Sequence, residues 1–226
     1  MRYKQRKPRS NHYTMFFGFL LLLGFGALAI AINRQPLNPF DLNIAAFVQS
    51  FESPSLTKVM ELFTSIGSTK YAIIIAVLTL VFLYFVLGHR MELIFLIAVL
   101  GGSAVMNQLL KIVIHRERPI VHRLIEETGY SFPSGHAMGA IGLYGALAFL
   151  LWRHIASRPG RILLIVSSCV MIAMIGVSRV YLGVHYPSDI IGGLMASGFW
   201  LALMIWVFQW YMEQRHRKNN THVGLV

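Results

Sequence analysis

The chain of 226 residues is 56% hydrophobic and only 13% charged, about half the charged fraction of an ordinary soluble domain. That deficit excludes a soluble globular enzyme, and it is concentrated in six uncharged windows, residues 10–33, 71–88, 93–110, 137–152, 162–178 and 190–212. A helix crosses the hydrocarbon core with roughly 17–25 residues; five windows reach that length and 137–152, at 16 residues, is marginal. The prediction is an all-α, polytopic membrane protein with a six-transmembrane-helix bundle in a single domain, residues 1–226.

In chain order, a basic stretch precedes an apolar run from Met15 to Ile32 that contains Ala27-Leu28-Ala29. The pattern imitates a secretory signal with a small-residue cleavage site, but the run is long for one and reads as the first membrane helix. From Arg34 to Lys70, Ile44, Phe47, Val48 and Phe51 recur at helical spacing, as do Leu56, Val59, Met60 and Phe63, with Ser53-Pro54-Ser55 between the sets. This predicts two short amphipathic interfacial helices between helices 1 and 2, packed on the bundle or covering a lipid entrance. His89-Arg90 and the segment Arg153 to Arg161 turn the chain between later helices. Gly135, Gly139, Gly142 and Gly145, then Gly192, Gly193, Ala196 and Ser197, read as close helix-packing faces. Cys169, the single cysteine, excludes an intrachain disulfide and reads as a small apolar core residue.

The net charge of +11 does not imply nucleic acid, because its distribution follows membrane topology. With the N-terminus inside, 12 of the 20 Lys and Arg fall on the inner segments, and the outer segments hold Arg34, Lys58, Lys70, Lys111, Arg116, Arg118, Arg123 and Arg179. The bias predicts both termini in the cytoplasm.

Ionisable residues at membrane depth are functional candidates. Lys111 and Arg118 follow the third helix, Ser134, Gly135 and His136 open the fourth, Ser178 and Arg179 close the fifth, and His185 and Asp189 open the sixth. Alternating topology brings all of them to one face, the outer one by the charge count. Three cations, two histidines, a carboxylate, a hydroxyl and a helix N-terminus make an anion site with acid–base capability. Lys111, Arg118 and Arg179 match phosphoryl oxygens in charge, and the helix start at Ser134 and Gly135 offers free N–H groups. Discounting these three cations, five remain outside against twelve inside. His185 and Asp189 stand one helical turn apart, so the carboxylate can hold one ring nitrogen and leave the other to attack phosphorus. His136 is placed to protonate a leaving oxygen and then activate water.

At these residues the chain resembles the type 2 phosphatidic acid phosphatase superfamily. The three-part signature stands complete as Lys111-x6-Arg118-Pro119, Pro133-Ser134-Gly135-His136 and Ser178-Arg179-x5-His185-x3-Asp189. The resemblance implies a metal-independent reaction with no cofactor and a phosphohistidine intermediate. His185 would be the nucleophile, Asp189 its orienter and His136 the acid–base residue, while Lys111, Arg118, Ser134, Gly135 and Arg179 would hold the phosphate. Soluble vanadium haloperoxidases share the family, but the membrane helices argue against that branch. The compact size is similar to bacterial plasma-membrane enzymes acting on phosphatidylglycerophosphate or undecaprenyl diphosphate, and the first is favoured. The expected partners are a lipid phosphate and the bilayer, with no nucleic acid and no protein partner evident. His122, Arg123, Glu126, Glu127 and Tyr130 read as a head-group-reading loop or an ordinary polar one, and His115 and Arg116 receive no role. Two other readings use the same residues: a non-hydrolytic carrier of an anionic lipid or phosphate, and a His/Asp metal hydrolase, which the surrounding cations disfavour.

Overall fold

The computed structural model describes residues 12–85 and 90–223. The N-terminal basic cluster (Arg2, Lys4, Arg6, Lys7 and Arg9) and His89 of the expected inner turn lie outside the described residues. Within them all regular structure is helical: α1 (His12–Arg34), α2 (Pro39–Gln49), α3 (Pro54–Ile66), α4 (Thr69–Phe85), α5 (Arg90–Ile114), α6 (Gly135–Trp152), α7 (Arg158–Tyr181) and α8 (Pro187–Val223). The helix starts follow local chemistry. Asn38, Ser53, Ser134 and Ser157 each accept a backbone N–H of the first turn, and Pro39, Pro54 and Pro159 sit where a missing N–H costs nothing.

Five helices are long and apolar enough to span a membrane: α1, α5, α6, α7 and the stretch Pro187–Arg215 of α8. A sixth span arises if α3 and α4, bent by 53° across a short break, are taken together. The chain is thus an integral membrane protein. The expected weak span was 137–152, yet α6 begins two residues earlier, at Gly135, and reaches 18 residues.

Packing places α1 antiparallel to α8, with Gly18 against Ala202 and Phe199 and Gly24 against Met195. Phe25 of α1 stacks on Phe132, just before α6, with centroids 5.6 Å apart. Toward the opposite end, Leu83, Phe95, Leu96, Val99, Ala146, Leu150 and Phe208 form the largest apolar cluster. Midway, the Ser103 and Ser197 hydroxyls lie 3.0 Å apart and Ser197 donates to the Met138 carbonyl at 2.9 Å. This polar node joins α5, α6 and α8 where an unpaired hydroxyl would be costly.

The amphipathic pair α2 and α3 packs on the site end of the bundle. Val48, Leu56 and Met60 cover Tyr181, Leu182 and Val184, and the Tyr181 hydroxyl accepts from Ser53 N at 3.2 Å. Phe47, Phe51 and Val59 of the same sets remain exposed, so each helix divides its apolar residues between the bundle and the outside. Two small-residue expectations need correction. Cys169 is exposed, among the outward Val166 and Val170 of α7; a membrane helix needs no protein cover for an apolar side chain. A Cβ at Gly139 would meet nothing within 4 Å, whereas one at Gly145 would lie 2.5 Å from Leu201.

Gly192 faces Phe132 so closely that a Cβ would fall 2.3 Å from its ring, and that ring is fully buried. Gly192→Ala should therefore cost about 1–3 kcal/mol by overpacking, lowering the thermal midpoint of the detergent-purified protein. Gly26→Ala, where a Cβ meets nothing within 4 Å, should leave that midpoint unchanged or slightly raised.

Candidate active site

The site is assembled from helix ends. Lys111 occupies the last turn of α5, half-buried. The chain leaves α5 through His115, whose φ of 52° turns it away from the helix, and a loop carrying Arg116, Arg118, Glu127 and Ser131 returns to α6. Ser134 caps α6, with its own N–H donating to the Asp189 carbonyl at 3.0 Å. Asn107 of α5 donates to the Pro133 carbonyl at 3.1 Å and backs Gly135, where a Cβ would approach its amide oxygen to 3.1 Å. The helix start is thereby clamped between α5 and α8. Arg179 closes α7; the turn beyond it reverses at Gly183, whose φ is +73°, and delivers His185 to the mouth of α8.

His185 is 2% exposed and Asp189 0%. The His185 Nδ1 stands 3.3 Å from Asp189 Oδ2, while Nε2 stands 3.0 Å from Arg118 Nη1. These contacts fix the tautomer. A guanidinium can only donate, so Nε2 must present its lone pair, and Nδ1 carries the proton and donates it to the carboxylate. Burial pushes His185 down to about 4; Arg118 and Arg179 add to the fall and Asp189 opposes it. The ring is therefore neutral at ordinary pH.

The cations are held from behind. Arg118 donates to the carbonyls of Gly129, Thr128 and Val184 at 3.0, 3.1 and 2.9 Å, and burial holds it below its ordinary value. Arg179 donates to Thr64 Oγ1 of α3 at 2.5 Å and to Glu127 Oε2 at 2.6 Å. Its Nε is buried with no partner among the described residues. Glu127 also approaches Arg118 at 4.0 Å. Burial pushes its carboxyl up, but the hydrogen bond from Arg179 and the charges of Arg179 and Arg118 outweigh that and hold it below the usual range. Lys111 lies near enough to Arg118, Glu127, Asp189 and Arg179 to feel their charges, and His136 near enough to Arg179, His185, Glu127 and Arg118. Neither makes a hydrogen bond to the cluster among the described residues. The eight residues given roles by sequence thus gather at one end of the bundle, while Ser178 turns back to its own helix and donates to the Ile175 carbonyl at 2.8 Å.

Several residues of the site escaped the sequence reading. Ser131 donates to Asp189 Oδ2, as does the Tyr186 N–H at 2.8 Å. Arg116, left without a role, donates to Asp189 Oδ1 at 2.7 Å and to Asp41 Oδ2 at 2.6 Å. Its position two residues before Arg118 was the only local hint. In the loop, Glu127 is bound to the site cations, and His122 pairs with Glu52 and accepts from Gln49 at 3.2 Å through its carbonyl. That loop is tied to α2 and to the turn before α3.

The profile of the PAP2 superfamily matches residues 91–213. The chain is 32% identical over 175 residues to phosphatidylglycerophosphatase B of Bacillus subtilis (strain 168), covering 76% of this chain and 85% of that protein. It is 44% identical over 78 residues to YbjG of Escherichia coli (strain K12), a candidate undecaprenyl-diphosphatase, covering 34% of this chain and 35% of that one. The crystal structure of a transmembrane PAP2-type phosphatidylglycerolphosphate phosphatase from Bacillus subtilis superposes with a TM-score of 0.79 at 28% identity, covering 87% of this chain and 96% of that one. Aquifex aeolicus LpxE shares the fold, with a TM-score of 0.59 at 22% identity over 74% of this chain and 94% of that one.

The reversal at Gly183 leaves no room for a side chain, because a Cβ would fall 2.1 Å from the His122 carbonyl oxygen. Gly183→Ala combines a left-handed backbone with a clash against main chain. It should cost at least about 2 kcal/mol, seen as a lowered thermal midpoint, and should displace His185.

Proposed function

Because this chain belongs to the PAP2 superfamily, we propose that it is a lipid phosphatase working through a phosphohistidine on His185, with phosphatidylglycerophosphate as substrate and undecaprenyl diphosphate as the alternative. The observation that carries this reading is the Arg118–His185–Asp189 alignment, which leaves the only unprotonated ring nitrogen of a neutral histidine among site cations. The ranking of substrates rests on coverage, since the match to the Bacillus phosphatidylglycerophosphatase B spans most of both chains and the match to YbjG about a third.

The chemistry follows from the positions. A phosphoryl group enters among Lys111, Arg118, Arg179 and the N–H groups that open α6; the unpartnered Arg179 Nε is a donor for one of its oxygens. Arg118 turns its N–H from Nε2 to a phosphoryl oxygen, freeing the lone pair. Nε2 then bonds to phosphorus as the phosphorus–oxygen bond to the lipid breaks, and His136 gives its proton to the departing oxygen. The ring becomes cationic while Nδ1 keeps its proton on Asp189. Water next attacks phosphorus, yields its proton to His136, and the Nε2–phosphorus bond breaks to release inorganic phosphate. Charge developing on the phosphoryl oxygens is met by fixed cations and N–H groups, so the reaction needs no metal ion. A carrier would use the same cations but has no use for a histidine held in its nucleophilic tautomer. The charge bias supports an outer-face site with both termini cytoplasmic, and one phosphatase domain spans residues 1–226.

Phosphate release in detergent with EDTA present, measured from phosphatidylglycerophosphate, undecaprenyl diphosphate and phosphatidic acid, tests the reading. Release should be fastest from the first, and His185→Ala should lower it by about 10³-fold or more. EDTA-sensitive release, or turnover surviving in His185→Ala, would sink the mechanism.

The low value of His185 sets the acid side of the pH profile. The nucleophile is lost only when the folded ring takes a proton, so kcat/KM should fall through about pH 4 rather than near the ordinary value of about 6.5. The same shift makes the unfolded chain bind the extra proton. Thermal stability should therefore decline as the pH drops from about 6.5 toward 4.

A further inference from the structure

The sequence contains only two aspartates, Asp41 and Asp189, and both bind Arg116. Its guanidinium side chain is 2% exposed and the two carboxylates 0%. Nη1 donates to Asp189 Oδ1 and to Ser188 Oγ, each at 2.7 Å; Nη2 donates to Asp41 Oδ2 and to the Pro36 carbonyl, each at 2.6 Å. The Arg116 Cζ lies 4.3 Å from the Tyr186 ring centroid. Asp41 is itself fixed, accepting the Ser188 N–H at 2.8 Å and the Ser188 hydroxyl at 2.6 Å. Helix α2 is thus joined to the start of α8 through the residue that also grips the far oxygen of Asp189.

This division of the carboxylate matters. Oδ2 faces His185 and also serves Ser131 and the Tyr186 N–H, so three donors, none of them a formal cation, act on this side of the carboxylate. Arg116, on Oδ1, braces the carboxylate from the opposite side and supplies the counter-charge a buried carboxylate requires. Two carboxylates and one guanidinium carry a net charge of −1, matched to the positive charge the ring gains when Nε2 bonds phosphorus.

We infer that Arg116 is a positioning residue for His185, acting through Asp189, and that Asp41 makes the seating of α2 part of the same alignment. The inference rests on the reading of His185 as nucleophile. The charged and titratable groups around Arg116 and His185 are Asp41 from α2, Lys111 from α5, Arg118 and Glu127 from the loop, His136 from α6, Arg179 from α7, Tyr186 from the α7–α8 turn and Asp189 from α8.

Arg116→Gln removes the charge, Arg116→Lys keeps it without the planar fork, and Asp41→Asn releases the arginine from α2. Each full-length variant is assayed on phosphatidylglycerophosphate for KM, kcat, pH profile and thermal midpoint, with alkaline quench of ³²P-labelled substrate to trap phosphohistidine. Arg116→Gln should lower kcat and the labelling rate by about 100-fold with KM within about twofold. Its acid limb should rise by about one pH unit, because an uncompensated Asp189 draws a proton onto His185. Arg116→Lys should recover about tenfold of that loss without moving the limb, and Asp41→Asn should fall between wild type and Arg116→Gln. Activity that falls only with the amount of folded protein, at unchanged labelling rate and acid limb, would reduce Arg116 to a structural clasp. Should Arg116→Gln not fold, Arg116→Lys and Asp41→Asn decide through the labelling rate. Labelling in His185→Ala would overturn the nucleophile and this inference together, whereas His185-dependent labelling unaffected by Arg116→Lys and Asp41→Asn would overturn this inference alone.

Discussion

Charge removed from water at the end of a helix bundle must be matched locally, and the site is built around that requirement. Asp189 is fully buried and receives donors on both oxygens, from Arg116 on one side and from His185, Ser131 and the Tyr186 N–H on the other. An isolated buried carboxylate would cost several kcal/mol; this one is cheap because α2, the loop before α6 and the α7–α8 turn all contribute to its surroundings. Remove any of these and the others lose their reason to converge. The same logic governs Arg118 and Arg179: neutral carbonyls and Thr64 orient their donors without cancelling charge, and Glu127 offsets only part of the positive field.

Much of this was legible in the sequence, for a geometric reason. His185 and Asp189 are one helical turn apart, Ser134 through His136 are adjacent, and Arg179 precedes His185 by one tight turn. Local spacing encodes such contacts, and alternating topology then carries the separate clusters to one end. Arg116 and Asp41 were not legible because they lie 75 residues apart and meet only through the docking of α2. Asp41 is the one acid of a short amphipathic helix, where it looks like part of the polar face, and nothing in its neighbourhood announces an arginine. Thr64 was hidden for the same reason, its partner Arg179 lying 115 residues away.

Helix lengths show where pattern reading fails in a membrane. An uncharged window stops at the first ionisable residue, so 137–152 was cut at His136, the residue the site needs at the helix mouth. The true helix begins at Gly135. Helices α3 and α4 pass together as one span, bent by 53° at a short break near Gly67. There, a Cβ on Gly67 would lie 2.5 Å from Ile175 and 3.4 Å from the His136 ring. The bend between α3 and α4 and the His136 ring therefore share one crowded corner, which a count of apolar residues could not reveal.

The antiparallel pairing of α1 with α8 has a consequence for biogenesis. Glycines of α1 seat side chains of α8, and Phe25 of α1 braces Phe132 beside the site. Helices reach the membrane in the order they are synthesised, so α1 waits in the lipid with its seam unfilled until α8 arrives. That same late segment brings Asp189, and His185 precedes it by four residues. A nascent chain stalled anywhere short of this point lacks both His185, the proposed nucleophile, and the carboxylate beside it, so the site is complete only once the last helix closes the bundle.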